Sequence, residues 1–228
     1  MNLAGSWEQH ADAWIRWARS SPHDGFAGGT WPALRELLPA PGPGPVIDLG
    51  CGEGRASREL RALGHRVVGA DYSPTLTRAA RASCPAIPVI RADAAALPFT
   101  GQSADLVLAC MSLLDFDDFG GAVAEIGRVL RPRGQLCLAV VHPFISAQDE
   151  DTLHEPAFGF ARPYLETRQY TDRVEREGLA MTFSSMHRPL AAYTAALTGQ
   201  GLAITALTEH GGGVIPWLLA MRAEKIQR

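Results

Sequence analysis

Residues 46–54, Val-Ile-Asp-Leu-Gly-Cys-Gly-Glu-Gly, constrain the chain more than any other stretch: an apolar run stops at an acid and opens into glycines at alternate positions. That pattern is a strand delivering a backbone loop to a ligand. Without a Cβ at Gly50, Gly52 and Gly54, the chain can turn sharply and its amides can approach a bound molecule. Arg55 to Leu63 then supplies a helix whose N-terminus faces that molecule. A cofactor site follows. The spacing is G-x-G-x-G, preceded by Asp48, and differs from the G-x-G-x-x-G of nicotinamide enzymes, whose third glycine lets the helix pack on its strand.

Two further apolar runs also end in acids. Gly64 to Asp71 reads as a second strand whose terminal carboxylate lies about 20 residues beyond the glycines, the usual separation for a ribose-binding acid. Asp71 can accept bonds from two vicinal hydroxyls at once. Tyr72 follows it, then Ser73 and Pro74, a cap and first-turn proline for the next helix. Val89 to Asp93 is the third run; the Asp93 carboxylate and the Ala94 amide offer the acceptor and donor that an adenine edge requires, with Leu97 and Phe99 as apolar surroundings.

In these motifs the chain resembles the class I S-adenosylmethionine-dependent methyltransferases, in the branch of the ubiquinone and menaquinone methyltransferases. Asp48 to Gly54 matches the family's first motif, Val68 to Ser73 the ribose motif, and Asp93 to Phe99 the adenine motif. Ala104 to Ala109 matches the fourth strand, and Glu125 to Leu136 a fifth element. The resemblance covers residues 44–141 well and the remainder in outline. It implies S-adenosylmethionine as cofactor and S-adenosylhomocysteine as product, bound by Asp48, Gly50, Cys51, Gly52, Gly54, Asp71, Tyr72, Asp93, Ala94 and Met111. Gly50, Cys51 and Gly52 would lie against the methionine part, Asp71 on the ribose, and Asp93 and Ala94 on the adenine. It also implies a doubly wound, mostly parallel seven-stranded α/β sheet with an antiparallel last strand.

The wider chain agrees with that architecture. From residue 46, strands near 46, 66, 88, 105 and 135 alternate with helices near 55, 75 and 119–131, the pattern of a parallel sheet covered on both faces. Residues 1–228 are expected to form a single domain. Ser6-Trp7-Glu8-Gln9 reads as a capping box opening an amphipathic helix with Trp7, Ala11, Trp14 and Ala18 on one face. A second helix follows at Trp31 to Leu38, and Pro39 to Pro45 is a stiff spacer. Residues 1–45 are thus expected to be a helical lid with its spacer. Residues 142–188 interrupt the alternation, with Tyr164 to Val174 and Leu179 to Met186 pairing as a hairpin around Glu175 to Gly178, an insertion walling a substrate pocket. A helix to Leu197, a strand Leu202 to Glu209 and a last strand Val214 to Ala223 complete the chain.

Composition narrows the partners. A formal charge of -3 and a pI near 6.2 lack the basic excess of nucleic-acid binders, and Arg55, Arg58, Arg61 and Arg66 read as a solvated helix face. Cys51, Cys84, Cys110 and Cys137 have neither zinc nor disulfide spacing. Met1 to Ser6 lacks a signal-peptide start and no apolar run approaches ~20 residues, so a cytoplasmic protein without membrane contact is expected.

Methyl transfer from a sulfonium demands positioning in a dry pocket rather than a metal. A general base helps where the acceptor must lose a proton. His142, just beyond the fifth strand, is the first candidate base, His187 and the His23-Asp24 pair are second, and Asp115 is third. Ala109-Cys110-Met111-Ser112 stands where enzymes acting on planar exocyclic nitrogens carry an Asn/Asp-Pro-Pro-aromatic motif. That absence favours a small organic acceptor over nucleic acid or protein, its atom open among oxygen, nitrogen, carbon and sulfur. Met111, Leu113, Leu114, Phe116, Phe144, Phe158, Phe160 and Tyr164 are candidates for an apolar pocket. The alternatives are a cofactor-binding or cyclase protein on the same fold and, more distantly, a nicotinamide oxidoreductase. Nothing in the pattern sets an oligomeric state.

Overall fold

The computed structural model describes residues 2–20, 25–148 and 163–227. Its centre is a seven-stranded sheet in which β1 (Pro45–Leu49), β2 (Arg66–Asp71), β3 (Val89–Arg91), β4 (Ala104–Cys110) and β5 (Leu130–Val141) run parallel. Two later strands, labelled β8 (Leu202–His210) and β9 (Leu218–Lys225), finish it in the order β3-β2-β1-β4-β5-β9-β8. Only β9 runs antiparallel to its neighbours, as the sequence led us to expect. The order reverses between β1 and β4, which opens a crevice at the carboxyl ends of those strands.

Strand alternation explains the two-sided core. Ile47, Leu49, Val107, Ala109, Leu136, Leu138 and Val140 face one layer of helices, α6 (Phe119–Val129) and α8 (Leu190–Gly199). Val46, Leu106, Leu108, Cys137 and Ala139 face the other, built by α3 (Trp31–Leu37), α4 (Arg55–Ala62) and α5 (Pro74–Ser83). Each fully buried Leu or Ile contributes about 1.5–3 kcal/mol, so burial on both faces holds the sheet between its two helix layers.

Helix ends show why the crevice is shaped as it is. Gly54 stands before α4 at φ +88°, a left-handed position that a Cβ would strain. The Ser73 hydroxyl caps α5 by accepting from the Leu76 amide at 3.0 Å, with Pro74 in the first turn. The N-terminal segment differs from its sequence pattern. It forms α1 (Leu3–Gln9) and α2 (Ala11–Arg19), broken at His10, and Asn2 is the cap, its Oδ1 accepting from the Gly5 amide at 3.0 Å. Ser6 lies inside α1 and donates instead to the Ser184 hydroxyl at 2.8 Å, so no capping box forms there.

A short α7 (Pro143–Ser146) leads out of β5. The expected hairpin is present as β6 (Arg168–Arg176) and β7 (Leu179–His187), joined by a two-residue turn with Glu177 at φ +50° and Gly178 at φ +78°. Positive φ at both positions matches the right-handed strand twist. The hairpin lies outside the main sheet and packs α1 and α2 against β7. No helix among the described residues is long and apolar enough to cross a membrane.

Candidate cofactor and acceptor site

The crevice is a cavity of about 1250 Å³ bounded by the ends of β1, β2 and β4, the N-terminal helices and β6–β7. At its floor, Gly50 and Gly52 have φ +70° and +56°. A side chain at Gly50 would collide with Ser112, so that position needs glycine for space as well as conformation, while Gly52, whose Cβ would come to 3.2 Å from the Trp14 indole nitrogen, needs it chiefly for its positive φ. The Asp71 carboxylate holds this loop, accepting from the Gly52 amide at 2.8 Å and the Ser73 amide at 2.9 Å. Each oxygen keeps a lone pair for further donors, and Asp71 lines the cavity. Asp93, at the end of β3, accepts from the Ala95 amide at 2.9 Å, and it and Ala94 line the same cavity.

Burial governs the electrostatics of this floor. Asp48 takes the Ser57 hydroxyl at 2.5 Å. Desolvation and the nearby Asp71 still raise its pKa to about 6, and burial likewise raises that of Asp71. Burial pushes the Cys51 thiol well above its ordinary range, so it stays neutral. Met111 adopts φ +54°, an uncommon left-handed turn for a long side chain, and also lines the cavity.

Across the chamber stands Asp115, in a 3-10 turn (Leu113–Asp115) after β4. Its Oδ1 accepts from the Ser185 hydroxyl at 2.6 Å. Burial raises the carboxyl to about 8 against the opposing effects of Ser185, Arg188 and the Trp7 indole N–H. Asp115 keeps some accessible surface while it is packed in protein on all sides, because it faces the chamber that it lines. The buried Arg188 guanidinium fixes that turn: it donates to the Leu114 carbonyl at 3.3 Å and the Phe116 carbonyl at 3.1 Å, on either side of Asp115. Tyr170 lines the wall opposite Ser185. Trp7, Trp14 and Trp17 meet Phe183 edge to face at 6.0–6.3 Å, an aromatic ceiling over the acids.

The N-terminal helices are fastened over this chamber at both ends. Asp117 accepts from the Leu3 and Ala4 amides. Glu8 takes the hydroxyls of Ser73 and Thr75. At the end of α2, Arg19 meets the buried Glu53 at 3.0 Å, and Arg58 meets it at 2.6 Å. Glu53 therefore joins the glycine loop to the segment above it.

Comparison with known proteins follows from this geometry. Residues 47–138 match a family of methyltransferase domains. The chain is 36% identical over 107 residues to the demethylmenaquinone methyltransferase of Thermus thermophilus, covering 44% of this chain and 49% of that one. Its structure resembles that of an S-adenosylmethionine-dependent methyltransferase from Mesorhizobium loti, with a TM-score of 0.71 and 26% identity over 88% of this chain and 100% of that one. The matched stretch, residues 47–138, is that of a methyltransferase domain. The didemethyltoxoflavin N1-methyltransferase of Burkholderia thailandensis, solved with S-adenosylhomocysteine, shares the fold at a TM-score of 0.62 and 17% identity over 99% of this chain and 87% of that one. The chain spans about half the length of the curated relatives it matches, 43–49% for three demethylmenaquinone methyltransferases.

Every cofactor residue proposed from sequence borders the chamber except Gly54, which instead precedes α4. The histidines do not. His142 is buried at the start of α7: its Nδ1 accepts from the Phe144 amide at 3.1 Å, and its Nε2 pairs with Glu209 at 2.7 Å. His187 is fully buried, bonded to the Ser146 hydroxyl at 2.8 Å and to the Tyr164 carbonyl at 2.8 Å. The carbonyl assigns the proton to Nε2, and burial lowers its pKa, so this ring is a neutral strut. Neither histidine lines the chamber, and both ring nitrogens of each make hydrogen bonds within the protein. His23 and Asp24 lie outside the described residues, as do Phe158 and Phe160. Leu113 is core, while Phe144 and Tyr164 stack near His142 and His187 away from the chamber.

Sequence reasoning placed Trp7 on the lid helix but missed Ser185, Arg188 and Glu53 as parts of the site. Of those three only Glu53 left a signal, an acid between two glycines of the first motif. Arg58, Arg61 and Arg66 are not a free basic face: they donate to Glu53, Ala86 and Pro43. Arg55 stacks over Trp14 and Phe26 at 4.7 and 4.2 Å.

Proposed function

We propose that this chain transfers the methyl group of S-adenosylmethionine to a small organic molecule held beneath its N-terminal helices, with Asp115, ionised once the cofactor's positive charge is bound beside it, receiving the acceptor's proton. The observation that carries this reading is the single chamber joining the ends of β1, β2 and β4 to a buried carboxyl. The residues fit the cofactor: Asp71 has acceptor capacity for ribose hydroxyls, Asp93 and Ala94 offer an acceptor and an amide to adenine, and the side-chain-free Gly50 and Gly52 leave room for the methionine part. Bound there, the sulfonium supplies an already activated methyl. The protein's work is to hold donor and acceptor in line, exclude water and take up a proton.

A chamber bounded by the N-terminal helices and β6–β7 favours a small acceptor, and the Thermus relative's name specifies a quinone precursor. The N-terminal helices act as a lid and β6–β7 as the acceptor wall, within one domain. The free cysteines suit a reducing cytoplasm. Calorimetry with S-adenosylmethionine and S-adenosylhomocysteine, followed by incubation of the protein with methyl-labelled donor and candidate acceptors, tests the reading. Saturable binding and a labelled product are expected. Absence of binding rejects the site, and binding without any labelled product leaves a cofactor-holding or cyclase protein.

A further inference from the structure

Resting on that methyl-transfer reading, we propose that the acceptor carries a carboxylate, separate from the atom methylated, and that Arg168 of β6 binds it. Arg168 lines the chamber and keeps accessible surface. Among the described residues it makes one hydrogen bond, from Nη2 to the Ser146 carbonyl at 3.1 Å, and no ion pair. Its Nη1 is closed off from solvent and unpartnered. A guanidinium has five N–H donors, so those left for a ligand are on Nε and Nη2.

The surroundings leave this charge unbalanced. His187, opposite Arg168 on β7, is neutral and bonded to the neutral Ser146 hydroxyl. The next acid on the same face of β6, Asp172, is four residues further on, about 13 Å along an extended strand. A half-buried cation without a counter-charge is costly, and a bound anion relieves that cost. Nε and Nη2 adjoin on the planar guanidinium and match the two oxygens of a carboxylate. One guanidinium balances one negative charge, which favours a carboxylate over a phosphate group carrying nearly two. The same face sets the distance from the chemistry. Tyr170, the next side chain along it, stands opposite Ser185, which donates to Asp115 at 2.6 Å. Alternate residues of a strand are about 7 Å apart, so the carboxylate lies one such step along the hairpin from Asp115, a span that one ring or a short chain bridges.

The test supplies the wild-type protein with S-adenosylmethionine carrying a radiolabelled methyl group and a small-molecule extract of bacterial cells, then passes the labelled product over an anion exchanger at neutral pH. Retention that survives alkaline phosphatase is expected. A neutral or cationic product, a methyl ester of the carboxylate itself, or a product that phosphatase releases overturns the carboxylate assignment while leaving methyl transfer intact; no labelled product at all removes the transfer reading instead. Arg168→Gln should raise KM for the identified acceptor about 10- to 100-fold, the loss of a charge-assisted contact, and lower kcat far less, with affinity for S-adenosylhomocysteine retained. Arg168→Lys should recover part of that loss. An unchanged KM overturns the proposal, and so does an equal fall in kcat and in S-adenosylhomocysteine affinity, which marks a structural role. Should the glutamine variant fold poorly, benzoate provides the second reading on the wild-type protein. It should inhibit in competition with the acceptor and not with S-adenosylmethionine, and failure to compete counts against Arg168.

Discussion

Asp115→Asn should make the protein more stable and less active. Burial raises this carboxyl from 3.8 to about 8, so between those values the folded chain retains a proton that the unfolded chain has released. Such a group gives nothing below its unfolded pKa, and subtracts stability progressively as pH rises toward the folded one. At pH 7 the interval is about three pH units, or ~4 kcal/mol at 1.36 kcal/mol per unit. Access of water to the chamber reduces the measurable difference to about 1–3 kcal/mol. Asparagine avoids the penalty, because its amide is neutral at every pH and its oxygen still accepts from Ser185. Urea unfolding of both proteins from pH 4 to 9 gives the measurement. The two curves should nearly meet at pH 4, diverge in favour of the variant as pH rises, and run parallel above about pH 8. A variant equally stable at all pH values, or less stable at pH 8, would refute the desolvated-acid argument. Loss of turnover beside that gain separates a working acid from a structural one, since removing a structural hydrogen bond lowers stability.

Asp71→Ala should weaken S-adenosylhomocysteine binding about 10- to 100-fold by calorimetry, because it deletes a charged acceptor for ligand hydroxyls and frees the Gly52 and Ser73 amides; unchanged affinity places the cofactor elsewhere. His142→Ala should cost about 1–2 kcal/mol in thermal unfolding through the Glu209 pair and the α7 cap, with turnover in the surviving folded protein near wild type. A large loss of turnover at full stability would return His142 to the mechanism.

The fold was readable because its signals are local and periodic. Alternating apolar residues in β4, such as Leu106 and Leu108 against Val107 and Ala109, announce two packed faces. A strand ending in glycines, followed by acids at the ends of β2 and β3, announces the cofactor crevice. The Glu177-Gly178 turn explains why the hairpin was visible too. The acceptor side was not readable in the same way, since its groups come from positions far apart in sequence. Ser185 reaches Asp115 across 70 residues, and Ser6 finds Ser184 across 178. That second bond accounts for the failed capping box: a tertiary partner claimed the hydroxyl, and Asn2 capped the helix four residues earlier. The placing of His142 has a related reason. Sequence position placed His142 correctly beyond the sheet edge, but the ring's direction was set by Glu209 on β8, which no local pattern reveals.

The buried acids also make donor and product electrostatically unequal. Asp48, Asp71 and Asp115 all resist ionisation in the ligand-free protein, and Cys51 between them stays neutral. A cation entering the floor favours their charged forms, whereas the thioether left after transfer lacks the sulfonium charge and offers less. At an effective dielectric of about 20, a full charge about 4–6 Å from a carboxylate is worth a few kcal/mol before desolvation is subtracted, so even a small net remainder separates the two ligands. Raising pH from 5 to 8 carries Asp48 through its value of about 6 and should tighten S-adenosylmethionine more than S-adenosylhomocysteine, by about 3- to 10-fold in relative affinity. Parallel calorimetric titrations of both ligands across that interval decide it. A constant affinity ratio would mean that the floor does not sense the sulfonium, and product release would then need a driving force other than the charge lost in the reaction.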